Sequence, residues 1–225
     1  MSGTLFLVAT PIGNLEDITL RAIRTLKEAD LVAAEDTRHT GKLLQHFGIE
    51  RPLCSFYSYN QQRRAPELVA KLAAGANIAL VTDAGTPGIS DPAYALVRLA
   101  IDAGITVTPI PGATALIPAL VASGLPADEF MFAGFLPVKP GRRRTRLLAL
   151  AAEPRTVVIY ESPHRIARTL HEMAETFGPR PAAVCRELTK IYEEFERGDI
   201  GELAKKYETK NSRGEYVIVI AGKAD

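Results

Sequence analysis

Three turns rich in glycine and proline have the residue types that best suit ligand binding. Each follows a run of apolar residues, and their sequences are Thr10-Pro-Ile-Gly-Asn-Leu-Glu-Asp17, Asp83-Ala-Gly-Thr-Pro-Gly-Ile-Ser-Asp-Pro92 and Ile110-Pro-Gly-Ala-Thr-Ala115. Small residues let the main chain approach a ligand closely, so that exposed N–H groups can bind it. One such turn can serve chain geometry alone. Three of them at the ends of predicted strands favour one shared ligand site.

The motifs that the sequence lacks exclude some classes of ligand. None of the three turns matches the GxGxxG dinucleotide fingerprint or the GxxxxGK[ST] phosphate loop, which favours a small ligand with little need for phosphate recognition. The two cysteines, Cys54 and Cys185, have no spacing typical of a zinc site, and His39, His46 and His171 lack accompanying metal ligands. The sequence therefore predicts no metal site.

Short apolar runs alternate with helical patterns, which predicts α/β architecture with largely parallel strands. We predict strands at 5–9, 31–34, 78–82, 106–110, 130–134, 156–160, 182–186 and 216–221. Helices are predicted at 20–29, 37–47, 92–103, 114–123, 142–152, 163–177 and 199–207. Pro111-Gly112 interrupts this alternation of predicted strands and helices. We therefore expect two α/β domains, covering residues 1–111 and 112–225.

Composition restricts the class of protein further. The chain has 225 residues, with 27 Lys and Arg against 26 Asp and Glu, so its formal net charge is +1. This excludes binding to nucleic acid through bulk charge and requires any such site to be a local patch. Apolar residues make up 47% of the chain, yet no apolar run reaches the roughly 18 residues of a membrane span. We expect a soluble cytoplasmic protein with no membrane contact.

Six segments occur in an order that is far more specific than any one of them. They are Val8-Ala-Thr-Pro-Ile-Gly-Asn-Leu-Glu-Asp-Ile-Thr19, Ala34-Glu-Asp-Thr-Arg38, Thr82-Asp-Ala-Gly-Thr-Pro-Gly-Ile-Ser-Asp-Pro92, Phe135-Leu-Pro137, Glu161-Ser-Pro-His-Arg165 and Arg186-Glu-Leu-Thr-Lys190. Together they resemble the bacterial 16S rRNA cytidine 2′-O-methyltransferases, a branch of the tetrapyrrole (class III) methylase superfamily. The resemblance covers essentially the whole chain.

The resemblance implies two α/β domains of the tetrapyrrole-methylase type, with S-adenosylmethionine in the cleft between them, and a homodimer. Carried over by motif, the cofactor-binding residues are Pro11, Ala84, Gly85, Thr86, Ile89, Thr114, Ala115, Glu161 and Leu188. Members of the family usually continue into a C-terminal extension, whereas this sequence stops at Asp225. We expect either a shortened sequence or a short member, without the RNA contacts of such an extension.

Methyl transfer to a ribose 2′-hydroxyl benefits from a general base, because the hydroxyl is a poor nucleophile until its proton leaves. Glu35 and Asp36 are the leading candidates, since both follow the predicted strand at 31–34. Glu35 also matches the position of a catalytic acid in tetrapyrrole-acting relatives. The structural alternative is that one carboxylate pairs with Arg38 while the other caps the helix that starts at Thr37.

Two further side chains are catalytic candidates. His164 lies at a predicted strand-to-helix junction and belongs to a residue type suited to proton transfer near neutral pH. Lys190 follows the predicted strand at 182–186 and can orient the ribose or a phosphate. The alternatives are a helix-start residue that packs on its neighbours and a solvated lysine.

A basic run is the best candidate for phosphate contact. The predicted RNA-binding residues are Lys139, Arg142, Arg143, Arg144 and Arg146, together with Arg63 and Arg64. A charge run is more often a solvated face. The family resemblance favours the RNA interpretation.

The sequence thus predicts methylation of a cytidine 2′-hydroxyl in 16S rRNA of the small ribosomal subunit, with S-adenosylmethionine as donor. One alternative is a methylase of the same fold that acts on a tetrapyrrole precursor or a protein side chain. Another is a non-catalytic RNA-binding module. The segments at 34–38 and 161–165 belong to the RNA branch and favour the first function.

Overall fold

The computed structural model describes residues 1–223. Contacts between Cα atoms divide the chain into two compact units, Met1–Thr114 and Ala115–Asp225. This division falls after Thr114, whereas the sequence prediction places the boundary after Pro111. Each unit contains one five-stranded sheet.

The first unit is built on a wholly parallel sheet with the strand order β3-β2-β4-β1-β5. Its strands are β1 (Thr4–Val8), β2 (Leu31–Ala34), β3 (Leu53–Ser55), β4 (Ile78–Val81) and β5 (Thr106–Ile110). Its helices are α1 (Leu20–Glu28), α2 (Thr37–His46), α3 (Gln61–Ala73) and α4 (Tyr94–Asp102). Because every strand runs in one direction, all five carboxyl ends reach the same edge of the sheet.

Alternation along β4 shows how this sheet is buried on both faces. Ile78 and Leu80 pack in the core that contains α3 and α4 residues, while Ala79 and Val81 pack in the core that contains α1 and α2 residues. A strand covered by helices on both sides is apolar at every position. This explains the unbroken run Ile-Ala-Leu-Val.

The second unit has a mixed sheet with the order β6-β7-β10-β8-β9. Its strands are β6 (Phe130–Phe135), β7 (Thr156–Glu161), β8 (Pro181–Arg186), β9 (Glu194–Asp199) and β10 (Tyr216–Ile220). Its helices are α5 (Leu116–Ser123), α6 (Pro140–Ala151), α7 (Ile166–Phe177) and α8 (Ile200–Glu208). The last three helices share one hydrophobic core with the sheet, and α5 contacts β7, β8 and β10.

The prediction of largely parallel pairing is correct for the first sheet and wrong for the second. Only β6 and β7 pair in parallel there, because β10 runs antiparallel to both β7 and β8, and β9 runs antiparallel to β8. A fully buried apolar strand such as Tyr216–Ile220 has the same local pattern in either direction. The direction of β10 depends on how the chain connects it to the preceding elements, which the local pattern does not reveal.

The sequence prediction missed a short 3-10 helix at Leu15–Asp17, two strands and one α-helix. Strand β3 has only three residues, and four of the six residues of β9 are charged, as is common at a sheet edge. Helix α3 contains Pro66, a residue type that normally argues against a helix interior.

Candidate active site

In the first unit, hydrogen bonds bring the three glycine- and proline-rich turns together. The N–H of Thr10 donates to the carbonyl of Gly85 over 2.9 Å, and the N–H of Gly85 donates back to Thr10 over 3.0 Å. The hydroxyl of Thr86 donates to the carbonyl of Ala113 over 3.0 Å. These bonds join the first turn to the second and the second to the third. The expectation that the turns lie together is confirmed.

Two glycines make this convergence sterically possible. Gly85 has φ +87°, and a Cβ atom there would lie 3.4 Å from Cγ2 of Ile12 and 3.6 Å from the carbonyl oxygen of Ala113. A Cβ atom on Gly112 would lie 2.9 Å from that of Ala9, closer than such atoms pack. The turns therefore meet main chain against main chain. This is the kind of cradle that can present N–H and carbonyl groups to a ligand.

Glu35 lies beside these turns because β2 and β4 are neighbours in the sheet. Glu35 is half-buried as a residue, and its Oε2 accepts a 2.8 Å hydrogen bond from the hydroxyl of buried Thr82. Thr82 directly follows β4, at the start of the second turn. One carboxylate oxygen is thus anchored, and the group remains partly accessible, as a general base must be.

Asp36 has a different environment. Its side chain caps α2 through the N–H of Arg38 and accepts a second bond from the Arg38 guanidinium, Nη2 to Oδ2, over 2.8 Å. The hydrogen bonds from Arg38 hold the pKa of Asp36 well below its usual range. A carboxylate with a lowered pKa is a weaker base. The structural alternative considered from the sequence, in which a carboxylate pairs with Arg38 and caps the helix, applies to Asp36 on both counts.

Asp91 is a titratable group that the sequence reasoning missed. Burial raises its pKa to about 6, and the nearby carboxylates of Glu35 and Asp83 add to this effect. Glu35, Asp83 and Asp91 are therefore close enough for the two other carboxylates to raise the pKa of Asp91. The available signal was the position of Asp91 inside the second turn motif, directly before Pro92.

In the second unit, strand register brings two of the motif segments to one edge. Tyr216, the first residue of β10, pairs with Glu161 on one side and with Arg186 on the other. The segments Glu161-Ser-Pro-His-Arg165 and Arg186-Glu-Leu-Thr-Lys190 therefore leave the sheet beside each other. The end of β6 lies at this edge too, since Phe135 pairs with Tyr160.

The carboxylate of Glu161 is fully buried and holds its own turn together. It accepts hydrogen bonds from Nε of Arg165 over 2.7 Å, from the N–H of Ser162 over 2.8 Å and from the hydroxyl of Thr169 over 2.6 Å. Arg165 also donates to the carbonyl of Leu136 over 3.3 Å. Both carboxylate oxygens are thus engaged within the protein.

The environment of Arg143 shows that the prediction of a basic RNA-binding surface was wrong for this residue. Its side chain is only 3% exposed. It bonds to Glu172 and to the hydroxyl of Thr169, and it lies 3.6 Å from Glu161. A guanidinium committed to buried carboxylates is not available to a phosphate, so Arg143 does not belong to an RNA-contacting surface. Its neighbours Lys139, Arg142 and Arg144 are exposed, and Arg146 is half-buried.

The other predicted side chains occupy varied environments. Arg63 and Arg64 both pair with Glu67 on α3, and His164 is exposed. The Lys190 amine donates to Glu187 over 2.9 Å and to Glu215 over 2.7 Å. Burial alone would lower the pKa of Lys190, but these two hydrogen bonds outweigh it and raise the pKa.

The residues predicted to bind the cofactor also differ in exposure. Leu188 is buried between Glu187 and Thr189, whose φ angles of 51° and 67° are uncommon for residues other than glycine. The remaining members include the buried Pro11 and Gly85, the exposed Ala84, and the half-buried Thr86, Ile89, Thr114 and Ala115. Of the residues predicted to bind the cofactor, Ala115, Glu161 and Leu188 lie in the second unit, and the others lie in the first.

Across residues 1–223, no group of three or more His, Cys, Asp or Glu side chains is arranged to hold a metal ion. In the same residues, no helix combines the length and the apolar character needed to cross a membrane.

The chain belongs to the tetrapyrrole methylase family. Residues 4–204 match the family described as Tetrapyrrole (Corrin/Porphyrin) Methylases, in agreement with the paired α/β units and with the converging turns of the first unit. The superfamily indicated by the six ordered motifs is thereby confirmed.

Within that family, the chain is similar to proteins named ribosomal RNA small subunit methyltransferase I. The protein of this name from Synechocystis sp. is 55% identical over 222 residues, which are 98% of this chain and 79% of that protein. The one from Halalkalibacterium halodurans is 51% identical over 223 residues, covering 99% of this chain and 77% of the relative. The resemblance to methyltransferases of small-subunit ribosomal RNA is thus confirmed.

A solved structure shows the same fold at much lower sequence identity. Uroporphyrin-III C-methyl transferase from Thermus thermophilus, complexed with S-adenyl homocysteine, aligns with a TM-score of 0.65 at 22% identity and covers 97% of each chain. A likeness at this level of identity concerns the fold alone.

Proposed function

We propose that this protein transfers the methyl group of S-adenosylmethionine to the ribose 2′-hydroxyl of a cytidine in 16S rRNA of the small ribosomal subunit. The observation that carries this proposal is the placement of the carboxylate of half-buried Glu35 next to three converging turns that offer main-chain groups. Relatives at 55% and 51% identity, named ribosomal RNA small subunit methyltransferase I, support rRNA as the substrate class.

The turns of the first unit suit an adenosyl sulfonium. S-adenosylmethionine, when bound, supplies an electrophilic methyl group whose sulfur loses its positive charge on transfer. A strongly anionic pocket would stabilise the charged cofactor more than the transition state and so slow the reaction. Main-chain groups near Gly85, Thr86 and Thr114 are uncharged, so their contacts with the cofactor add nothing to the negative charge of the nearby Glu35, Asp83 and Asp91 carboxylates. Gly85 fits such a cradle because its φ of +87° is strained for any residue that has a side chain.

Glu35 is the general base in this proposal. Its carboxylate takes the proton of the 2′-hydroxyl as the oxygen attacks, and the Thr82 hydroxyl holds Oε2 so that the other oxygen can face the substrate. Holding the reacting groups in line supplies part of the acceleration, and the base adds typically about 10²- to 10⁴-fold. Asp36 is the poorer candidate because Arg38 lowers its pKa.

The other predicted residues keep supporting roles. Lys190 is fixed by Glu187 and Glu215 and is suited to orient a phosphate or ribose rather than to accept a proton. The exposed His164 is retained as a second candidate for proton transfer. Any cofactor contact from Glu161 comes from its main chain, because its carboxylate is engaged.

The proposed RNA surface comprises Lys139, Arg142, Arg144 and Arg146 on or next to α6, together with Arg63 and Arg64 on α3. Four of these six side chains are exposed and two are half-buried. A substrate in the small ribosomal subunit places the protein in the cytoplasm, and the family resemblance implies a homodimer. Both belong to the proposal.

The test is methyl incorporation from labelled S-adenosylmethionine into small-subunit RNA, followed by nucleoside analysis for 2′-O-methylcytidine. Glu35→Gln should lower turnover by about 10²-fold or more while calorimetry shows nearly unchanged cofactor affinity. Glu50→Gln, the same change at an exposed glutamate, should leave turnover unchanged. Full activity of Glu35→Gln would remove Glu35 as the base. Label found in a tetrapyrrole precursor instead of RNA would refute the proposed substrate.

A further inference from the structure

Two exposed tyrosines follow β3 on a single turn. Tyr59 is 96% exposed and Tyr57 is 39% exposed, whereas the preceding Phe56 is buried at 1%. The two tyrosine rings contact each other edge to face, with centroids 6.3 Å apart. Burial of a large aromatic side chain is strongly favourable. Two exposed rings in contact on one turn form an aromatic surface that a partner can cover.

This turn leaves the sheet next to Glu35. Strands β2 and β3 pair in parallel with Ala34 opposite Ser55, and the N–H of Phe56 donates to the carbonyl of Ala34 over 2.7 Å. Glu35 is the next residue after Ala34, and Tyr57 is the second after Ser55. Neighbouring strands lie about 4.8 Å apart, so the tyrosines and the proposed base emerge side by side at the carboxyl edge.

The turn is held in place by one asparagine. The side chain of Asn60 accepts from the N–H of Tyr57 over 2.8 Å and donates to the carbonyl of Ser55 over 3.2 Å. The N–H of Gln61 closes the turn on the carbonyl of Tyr57 over 3.0 Å. A turn that is already ordered loses less conformational entropy when it binds a partner.

Positive charge follows directly in the sequence. Arg63 and Arg64 lie in the first turn of α3, and they share one carboxylate, that of Glu67. Two guanidinium groups against one carboxylate leave a net charge of +1, and the side chain of Arg63 is 72% exposed. Aromatic rings beside arginine are the combination that single-stranded nucleic acid requires: a ring for the face of a base and a cation for its phosphate.

We propose that Tyr57 and Tyr59 form a stacking platform for an unpaired base next to the target cytidine. This inference rests on the proposed function, since Glu35 must face the ribose. Bases inside an RNA duplex already stack on each other and cannot offer a free face to a side chain. The platform therefore selects a single-stranded segment and holds it so that the neighbouring 2′-hydroxyl comes to Glu35.

The test uses the full chain and a short single-stranded oligocytidine that carries one 2-aminopurine, a base whose fluorescence is quenched by stacking. The unmodified protein should bind it and quench the fluorescence. Tyr59→Ala should weaken binding on the order of ten-fold and remove most of the quenching, while Tyr59→Trp should retain both. Ile101→Ala, which truncates an exposed apolar side chain near the C-terminal end of α4, should change neither.

In the methylation assay, Tyr59→Ala should raise KM for RNA while kcat changes little, because stacking contributes equally to substrate and transition state. Unchanged RNA affinity and quenching in Tyr59→Ala would overturn the platform. A shift of the sedimentation coefficient of Tyr59→Ala from dimer to monomer would also overturn the platform. It would assign these tyrosines to contact with a second copy of the chain.

The fluorescence measurement needs no methyl transfer, so the two hypotheses fail separately. A wild-type chain that does not methylate small-subunit RNA refutes the proposed function. An active wild type with an unaffected Tyr59→Ala variant refutes the platform alone.

Discussion

Replacing Arg143 by methionine should destabilise the C-terminal unit, whereas the same change at its neighbours should not. Arg143 is buried and bonds to Glu172 and Thr169. Arg142 and Arg144, one position away on either side, are exposed. The three residues have the same chemistry and adjacent positions on α6, so they differ only in the direction each faces.

The size of the expected loss of stability depends on the hydrogen bonds that the partners of Arg143 keep after the substitution. Removing one member of a buried ion pair costs about 3–5 kcal/mol when the other is left uncompensated. Here Glu161 keeps two bonds from Arg165, and Glu172 keeps one from Arg168. The expected loss is therefore at the lower end, about 3 kcal/mol, part of which is lost packing of the side chain. For a chain of this length that corresponds to a fall in Tm of roughly 6–12 °C.

The assay is urea unfolding followed by circular dichroism, for Arg143→Met, Arg142→Met and Arg144→Met in parallel. The two surface variants should stay within about 0.5 kcal/mol of the wild type. Each should instead reduce the slope of log K against log salt for RNA binding by roughly 0.7. Wild-type stability of Arg143→Met would refute the buried network. An unchanged salt slope in both surface variants would refute the RNA surface on α6.

Two further predictions concern the first unit. Gly85→Ala should cost about 1–2 kcal/mol, because φ +87° is strained for any L side chain, and calorimetry should show weaker cofactor binding. Gly141→Ala, with open space around its Cβ position, should be nearly neutral; equal effects would contradict this. Burial and its neighbours raise the pKa of Asp91 to about 6, so its charged form costs stability above that pH and nothing below about 4. Asp91→Asn should therefore stabilise by about 1 kcal/mol at pH 7, after allowance for solvent screening, and by nothing near pH 4; urea midpoints with the same difference at both values would contradict this.

Much of the fold follows from local sequence pattern. The strands at 31–34 and 106–110 have the bounds predicted for them, and most other predicted elements differ by one to three residues at an end. Apolar runs and helical periodicity are properties of neighbouring residues, so they are readable without the fold. The three turns could be placed together for the same reason, once the strands before them were expected to be parallel.

Direction, burial and partner choice depend on contacts between residues that are distant in sequence. The antiparallel insertion of β10 between β7 and β8 leaves no local mark, because Tyr-Val-Ile-Val-Ile is buried in either direction. The raised pKa of Asp91 comes first from burial, to which Glu35 adds from the end of β2 and Asp83 adds from the same turn.

The acidic pair Glu35-Asp36 and the basic run at 142–144 also show which properties the sequence predicts and which depend on distant contacts. Glu35 and Asp36 were both candidates in sequence, with Glu35 favoured. The structure separates them because Glu35 bonds to Thr82 across the sheet while Asp36 bonds to Arg38 in the helix that it caps. The run Arg142-Arg-Arg144 indicates a charged surface. The pitch of α6 turns its middle member toward carboxylates on α7 and β7. Residue types and their order thus specify the elements and the family, whereas the charge state and accessibility of each side chain depend on which distant groups the folded chain places beside it.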